Sequence, residues 1–97
     1  MKKIILSSDG DSVIYSVPDI VAENLGKYCL KFSNWLYNNR PKKYWINGAM
    51  CFDTDDFIVY LNDLFPNEQS EFLLNIGWTD LGENIPKRYK DLPYFIF

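Results

Sequence analysis

Tyr44-Trp45-Ile46-Asn47-Gly48-Ala49-Met50-Cys51-Phe52-Asp53-Thr54-Asp55-Asp56 contains the two signals on which the fold turns. Asn47-Gly48 suits a type I′ turn, whose two central residues take positive φ, and it sits between two short aromatic and apolar runs. A tight hairpin is therefore expected over 44–52. Directly behind it, Asp53 or Thr54 reads as a helix cap. Asp55 and Asp56 fall in the first turn, where carboxylates meet the positive end of the helix dipole. Phe57, Tyr60, Leu61 and Leu64 then recur at three and four, the buried side of a helix that Pro66 interrupts.

On the N-terminal side, residues 2–6 and 12–16 read as strands joined through Ser8-Asp9-Gly10-Asp11, which suits a hairpin turn. Asp9 and Asp11 resemble the start of a calcium loop, but the third ligand and the closing glutamate are missing. Ser16-Val17-Pro18-Asp19 reads as a helix start. Ser16 can cap it, Pro18 needs no N–H in a first turn, and Asp19 takes the capping-box position. Val17, Val21, Leu25, Tyr28, Cys29, Phe32, Trp35 and Leu36 form one apolar stripe, so a single helix is expected to about Asn38.

On the C-terminal side, a further short helix is expected from Asn67 or Glu68 to Asn75, with Phe72, Leu73 and Ile76 inward, ending near Gly77. Gly82 and Pro86 punctuate the next stretch, and Pro86 suits the start of a helical turn. Pro93-Tyr94-Phe95-Ile96-Phe97 is almost wholly apolar and is expected to form a last strand or to pack across the core. Removal of the last four residues is expected to unfold or aggregate the chain. Together these readings predict one compact α+β domain over 1–97, with one long helix and two short ones packed on a small antiparallel sheet.

A chain of 97 residues buries only about 60–65% of the surface its unfolded form exposes, so it needs large side chains to fill its core. Three Trp, seven Tyr and seven Phe supply them, and 47% hydrophobic residues argue against disorder. Cys29 and Cys51 belong to no metal motif. The start, MKKIILSSDGD, is too short in apolar residues for a signal-peptide core, and no run approaches a membrane span. The expectation is a cytoplasmic protein with reduced cysteines and no membrane partner.

Charge supplies the main functional clue. No lysine or arginine occurs between Tyr44 and Pro86, while that stretch holds eight carboxylates: Asp53, Asp55, Asp56, Asp63, Glu68, Glu71, Asp80 and Glu83. The net charge of -3 thus conceals a strongly negative middle flanked by basic ends. Such a segment repels nucleic acid and anionic lipid and favours a basic partner.

Catalytic chemistry is hard to assemble from these residues. The chain has no histidine, which removes the usual general base, the usual triads and most zinc enzymes. A pair of carboxylates of the glycosidase kind remains formally available, although acids at a helix start are ordinary caps. The five glycines never cluster into a phosphate loop. Lys42-Lys43-Tyr44-Trp45 resembles a small base-stacking patch, yet it lies beside a dense acidic field. Asp53 and Asp56 are three apart and can share a face, but a helix N-terminus explains them without a metal. No enzyme activity, cofactor, metal or nucleic-acid partner is expected.

A binding role fits better. Carboxylates steer encounter with a basic surface, and aromatic side chains at the centre of such a patch supply most of the affinity. The candidate contacts are Asp53, Asp55, Asp56, Asp63, Glu68 and Glu71 on or near the two short helices. Asp80 and Glu83 add to them from the following loop, and the candidate aromatics are Tyr44, Trp45, Tyr60 and Trp78. Each aromatic also reads as core packing, and each acid as part of a solvated face.

Small, acidic, aromatic-rich and without catalytic residues, the chain resembles in type the bacterial immunity proteins, which bind a secreted or contact-delivered toxin inside the cell that makes it. Phe65-Pro66-Asn67-Glu68-Gln69 and Tyr89-Lys90-Asp91-Leu92-Pro93 have a family-like character without an assignable residue role. The resemblance implies a nuclease toxin whose basic substrate groove is plugged by a tight stoichiometric inhibitor. The carboxylates would imitate phosphates or cover the site from an adjacent exosite. On this reading, Asp55→Lys, Asp56→Lys and Glu68→Lys together leave the fold intact and abolish binding. The alternative is a structural or adaptor protein that self-associates, for instance through Phe95 and Phe97, or that joins a larger assembly.

Overall fold

Two N-terminal strands form the centre of the sheet. β1 (Lys2–Ser7) and β2 (Asp11–Val17) pair as an antiparallel hairpin, from Lys2 opposite Val17 to Ser7 opposite Ser12. The structure is a computed structural model that describes residues 1–8, 10–39, 42–78 and 85–97. Alternation along β1 and β2 sends Ile4, Leu6, Tyr15 and Val17 to one face and Ile5 and Ile14 to the other, and both sets are buried.

The first face receives the helices, α1 (Asp19–Glu23), α2 (Leu25–Asn39) and α3 (Thr54–Leu64). Phe32 of α2 is the hub of this core. Its ring centre lies 5.3–6.3 Å from those of Trp35, Phe52, Phe57, Tyr60 and Phe97. Fully burying an aromatic of this kind contributes about 1.5–3 kcal/mol. The second face is covered by Ile85, Tyr89 and Leu92, which pack on Ile5 and Ile14.

The class is α+β as expected, with one long helix and two short ones, but three elements differ in detail. The long helix is interrupted. β2 runs on to Val17, so Ser16 is paired opposite Lys3 and does not cap anything. Pro18 takes the N-cap position without a side-chain bond. At Asn24 the backbone leaves the helix; its side-chain amide donates to the Ile20 carbonyl at 2.9 Å and its N–H to the Val21 carbonyl at 3.2 Å. An asparagine side chain that offers the backbone this alternative partner ends α1, and α2 restarts one residue later. Arg40 and Pro41 lie outside the described residues.

Residues 71–78 form a strand where a short helix was expected. β5 (Glu71–Trp78) pairs antiparallel with β2. Tyr15 faces Phe72 and Ile14 faces Leu74, while Val13 faces Asn75 and Ser12 faces Gly77. Leu73 and Ile76 are therefore the extra residues of two β-bulges, and both turn onto Ile5 and Ile14. Two bulges three residues apart reproduce a helical interval in a strand, which is why the spacing reads as a helix.

The sheet is also mixed. Its order is β5-β2-β1-β6, and β6 (Tyr94–Ile96) runs parallel to β1. A parallel return needs a crossover, and the chain that approaches β6 from Ile85 lies over the second face of the sheet. The expected turn after Pro86 is a single 3₁₀ turn over Lys87–Tyr89. Phe95 and Phe97 pack against the helical core, leaving Tyr94 and Ile96 exposed. Self-association through Phe95 and Phe97 would therefore have to draw on rings that are directed into their own chain.

The deciding hairpin forms as read, with β3 (Trp45–Ile46) paired to β4 (Ala49–Met50). Asn47 at φ 53 and Gly48 at φ 80 both occupy the left-handed region that a type I′ turn requires. The Cys51 N–H donates to the Tyr44 carbonyl at 2.6 Å and closes the hairpin just ahead of α3. Among the described residues, no helix is long and apolar enough to cross a membrane.

Candidate partner-binding cleft

The first turn of α3 fixes three of the candidate acids. Asp53 caps the helix, its carboxylate accepting from the Asp55 N–H at 2.9 Å, and Asp56 reaches back to accept from the Asp53 N–H at 2.9 Å. This reciprocal box satisfies donors that would otherwise lack partners. Asp55 turns the other way and accepts from the buried Tyr15 hydroxyl at 2.7 Å. Thr54 stands 2.7 Å from the same phenol oxygen. Because the phenol proton goes to Asp55, the Thr54 hydroxyl is the donor. Burial above all, then the Asp55 carboxylate, pushes the Tyr15 phenol far above its ordinary value, against the Thr54 bond.

One face of α3 then forms a wall. Asp56, Val59, Tyr60, Asp63 and Leu64 follow one another at helical intervals. With Trp35 of α2, and Lys43 and Tyr44 from the 3₁₀ turn Lys42–Tyr44, they line a cleft of about 270 Å³. Asp56 and Asp63 are two turns apart, about 10 Å along the axis. The Trp35 ring lies 5.6 Å from Tyr60 and 6.4 Å from Tyr44, centre to centre. Burial first, then the nearby Tyr28, raises the Tyr60 phenol.

Among the described residues, Lys43 is the one cation lining this cleft. Its ammonium lies 4.8 Å from the centre of the Tyr44 ring. The Tyr44 hydroxyl first, and the Asp56 and Asp63 carboxylates after it, hold its pKa above the usual lysine value. The ion pairs among the described residues lie elsewhere. The N-terminal ammonium meets Asp19 at 2.9 Å and Lys2 meets Glu23 at 3.3 Å. Neither involves a described carboxylate of the central segment. A second groove, lined by Lys2, Lys3, Glu23 and Asp91 among others, carries balanced charges.

No family model, curated protein or solved structure matches this chain.

The remaining candidates are spread more widely. Glu68 sits in the turn after α3 and Glu71 opens β5, so these two are not on a helix as expected. They are nevertheless tied to α3. Asn62 accepts from the Ser70 N–H at 2.6 Å and donates to the Ser70 carbonyl at 3.2 Å, holding the loop beside the helix end that bears Asp63. Asp80 and Glu83 lie outside the described residues. Tyr44 is 5% exposed and belongs to the core as much as to the cleft. Trp45 is half-buried, its ring 6.4 Å from that of Tyr37. Trp78 is 72% exposed and rests against Gly10, where a Cβ would stand only 3.0 Å from the indole. Among the described residues, no three His, Cys, Asp or Glu side chains gather as metal ligands. The carboxylates of Asp53 and Asp56 serve backbone N–H groups.

Sequence reasoning missed Trp35 and Lys43 as cleft residues. Trp35 reads as part of the buried stripe of α2, yet it stands at the stripe's edge and is 36% exposed. The signal for Lys43 was the Lys42-Lys43-Tyr44-Trp45 run, which reads as a nucleic-acid patch until Asp56 and Asp63 are seen opposite it.

Proposed function

We propose that the chain is an immunity protein that neutralises a cognate bacterial toxin, a nuclease, by stoichiometric contact through the acidic face of α3. The observation that carries this reading is the cleft wall itself: two carboxylates line it together with the Trp35 and Tyr60 rings, and neither forms an ion pair among the described residues. A basic partner finds there both the charge that steers encounter and the rings that retain it. Carboxylates about 10 Å apart along one helix suit an extended basic surface better than they suit a shared proton. The chain acts by occupying a groove in the cytoplasm of the cell that makes it, not by catalysis.

The structure changes how this is tested. Asp55 bonds Tyr15 and Asp56 completes the capping box, so reversing either charge costs stability as well as contact. Asp63 and Glu68 are exposed and free of capping duties. The tagged chain, recovered from the cells that make it, is expected to bring down one basic protein at equal stoichiometry and to protect cells in which that protein is expressed. Asp63→Lys with Glu68→Lys should weaken both effects while leaving the thermal transition in place. Capture without protection, or protection untouched by the double reversal, contradicts the proposal.

Self-association is favoured by a separate observation. Among the described residues, β5 is an edge strand with Phe72, Leu74 and Trp78 exposed, and such edges pair with other strands. A mass that rises with concentration in sedimentation, and that falls to the monomer in Leu74→Lys, would support this reading over the first.

A further inference from the structure

The cleft between α2 and α3 is shaped for a particular group. Its lining combines the Trp35, Tyr44 and Tyr60 rings with two carboxylates, and it opens to solvent. The chain's own Lys43 already lies against it, its ammonium 4.8 Å from the centre of the Tyr44 ring. That contact is held by one compact ammonium, which leaves the Trp35 surface uncovered. A guanidinium is planar, stacks on aromatic faces, is weakly hydrated and engages carboxylates through paired N–H groups, so it matches this combination better than an ammonium does. Asp56 and Asp63 together outweigh Lys43 by one negative charge, so the cleft is net negative with Lys43 in place and more so once Lys43 is displaced.

From this geometry we infer that the cleft receives an arginine side chain of the protein partner, stacked on Trp35 and Tyr60, bonded to Asp63 and displacing Lys43. The inference rests on the proposed binding role, and names the group through which that role begins. It assigns a function to Lys43 as well. By holding the cleft in the free protein, Lys43 competes with weakly basic surfaces, so that only a well-placed arginine displaces it. Asp56 is already committed to the Asp53 N–H at 2.9 Å. Asp63 is therefore the carboxylate left to bond the guanidinium.

The probe is N-acetyl-arginine amide, titrated to millimolar concentration into the intact ¹⁵N-labelled chain, with the lysine and citrulline analogues as controls. Saturable shifts are expected at the Trp35 indole N–H and along residues 56–64, larger for arginine than for lysine and absent for the neutral citrulline. Asp63→Asn should weaken arginine binding about two- to fivefold, as for an exposed ion pair. Lys43→Ala should strengthen it, an effect that a purely structural lysine would not produce. Equal shifts with citrulline, a preference for lysine, shifts confined to the Lys2–Asp91 groove, or weaker binding in Lys43→Ala would each overturn the inference. The two proposals fail separately. An arginine-filled cleft in a chain that protects against no toxin retires the immunity reading alone. A toxin bound with unchanged affinity by Asp63→Asn and Trp35→Leu retires the arginine site alone.

Discussion

Tyr15 joins the sheet to α3 through a single buried oxygen. Its hydroxyl gives a proton to Asp55 and receives one from Thr54, both at 2.7 Å. Tyr15→Phe leaves the buried Thr54 hydroxyl without this partner and is expected to cost about 1–3 kcal/mol in chemical denaturation. The same residue sets an alkaline limit. Because the folded-state phenol is raised above its ordinary value of 10.0, its contribution to stability is whole below that pH and declines as the pH rises beyond it. The decline approaches about 1.4 kcal/mol per pH unit, and Tyr15→Phe should remove that share of the slope. The two thiols differ in the same physical way. Cys29 is buried and pushed up to about 12, whereas Cys51 is exposed. A thiol reagent at neutral pH is expected to modify Cys51 alone in the native protein and Cys29 only after unfolding. Prompt native reaction of both cysteines would show that the α2 core opens.

Among the elements, α3 does most to place the candidate site, and its N-terminus shows why. The reciprocal bonds of Asp53 and Asp56 fix where the helix begins, and that phase decides that Asp56, Tyr60 and Asp63 share one face. Asp53→Ala is expected to lose about 1 kcal/mol, read as a lower midpoint in urea with an unchanged slope. How far each element was legible depends on whether its signal is local. Asn47-Gly48 and the Asp53 cap act within a few residues, so hairpin and helix were readable as they stand. β5 was not, because its two bulges exist only in relation to β2, and Leu73 and Ile76 then mimic helical spacing. The end of α1 depends on a side-chain bond from Asn24 back to Ile20, which an unbroken apolar stripe conceals. The parallel return of β6 is a property of the whole chain path, and nothing local in 93–97 specifies its direction. The cleft was half legible. Its acids and Tyr60 lie on one helix, whereas Trp35 and Lys43 reach it from elements that meet α3 only in the folded chain.

For the whole molecule, the ion pairs among the described residues tie N-terminal cations to Asp19 and Glu23 and leave the described acids of the central segment out. Lys2 engages Glu23 and the N-terminal ammonium engages Asp19, while Asp63, Glu68 and Glu71 remain exposed. Lys43 faces the acids of α3. Exposed charges of this kind act over about 10 Å at 0.1 M salt, so they govern how quickly a partner arrives more than how long it stays. The most direct measurement is the association rate with the captured basic protein as ionic strength is raised, for the native chain and for Asp63→Lys with Glu68→Lys. The native rate should fall steeply with salt, and the double reversal should be slower at low salt with a flattened dependence. A rate indifferent to salt, or a double variant that matches the native chain at every ionic strength, would contradict a docking face built on α3.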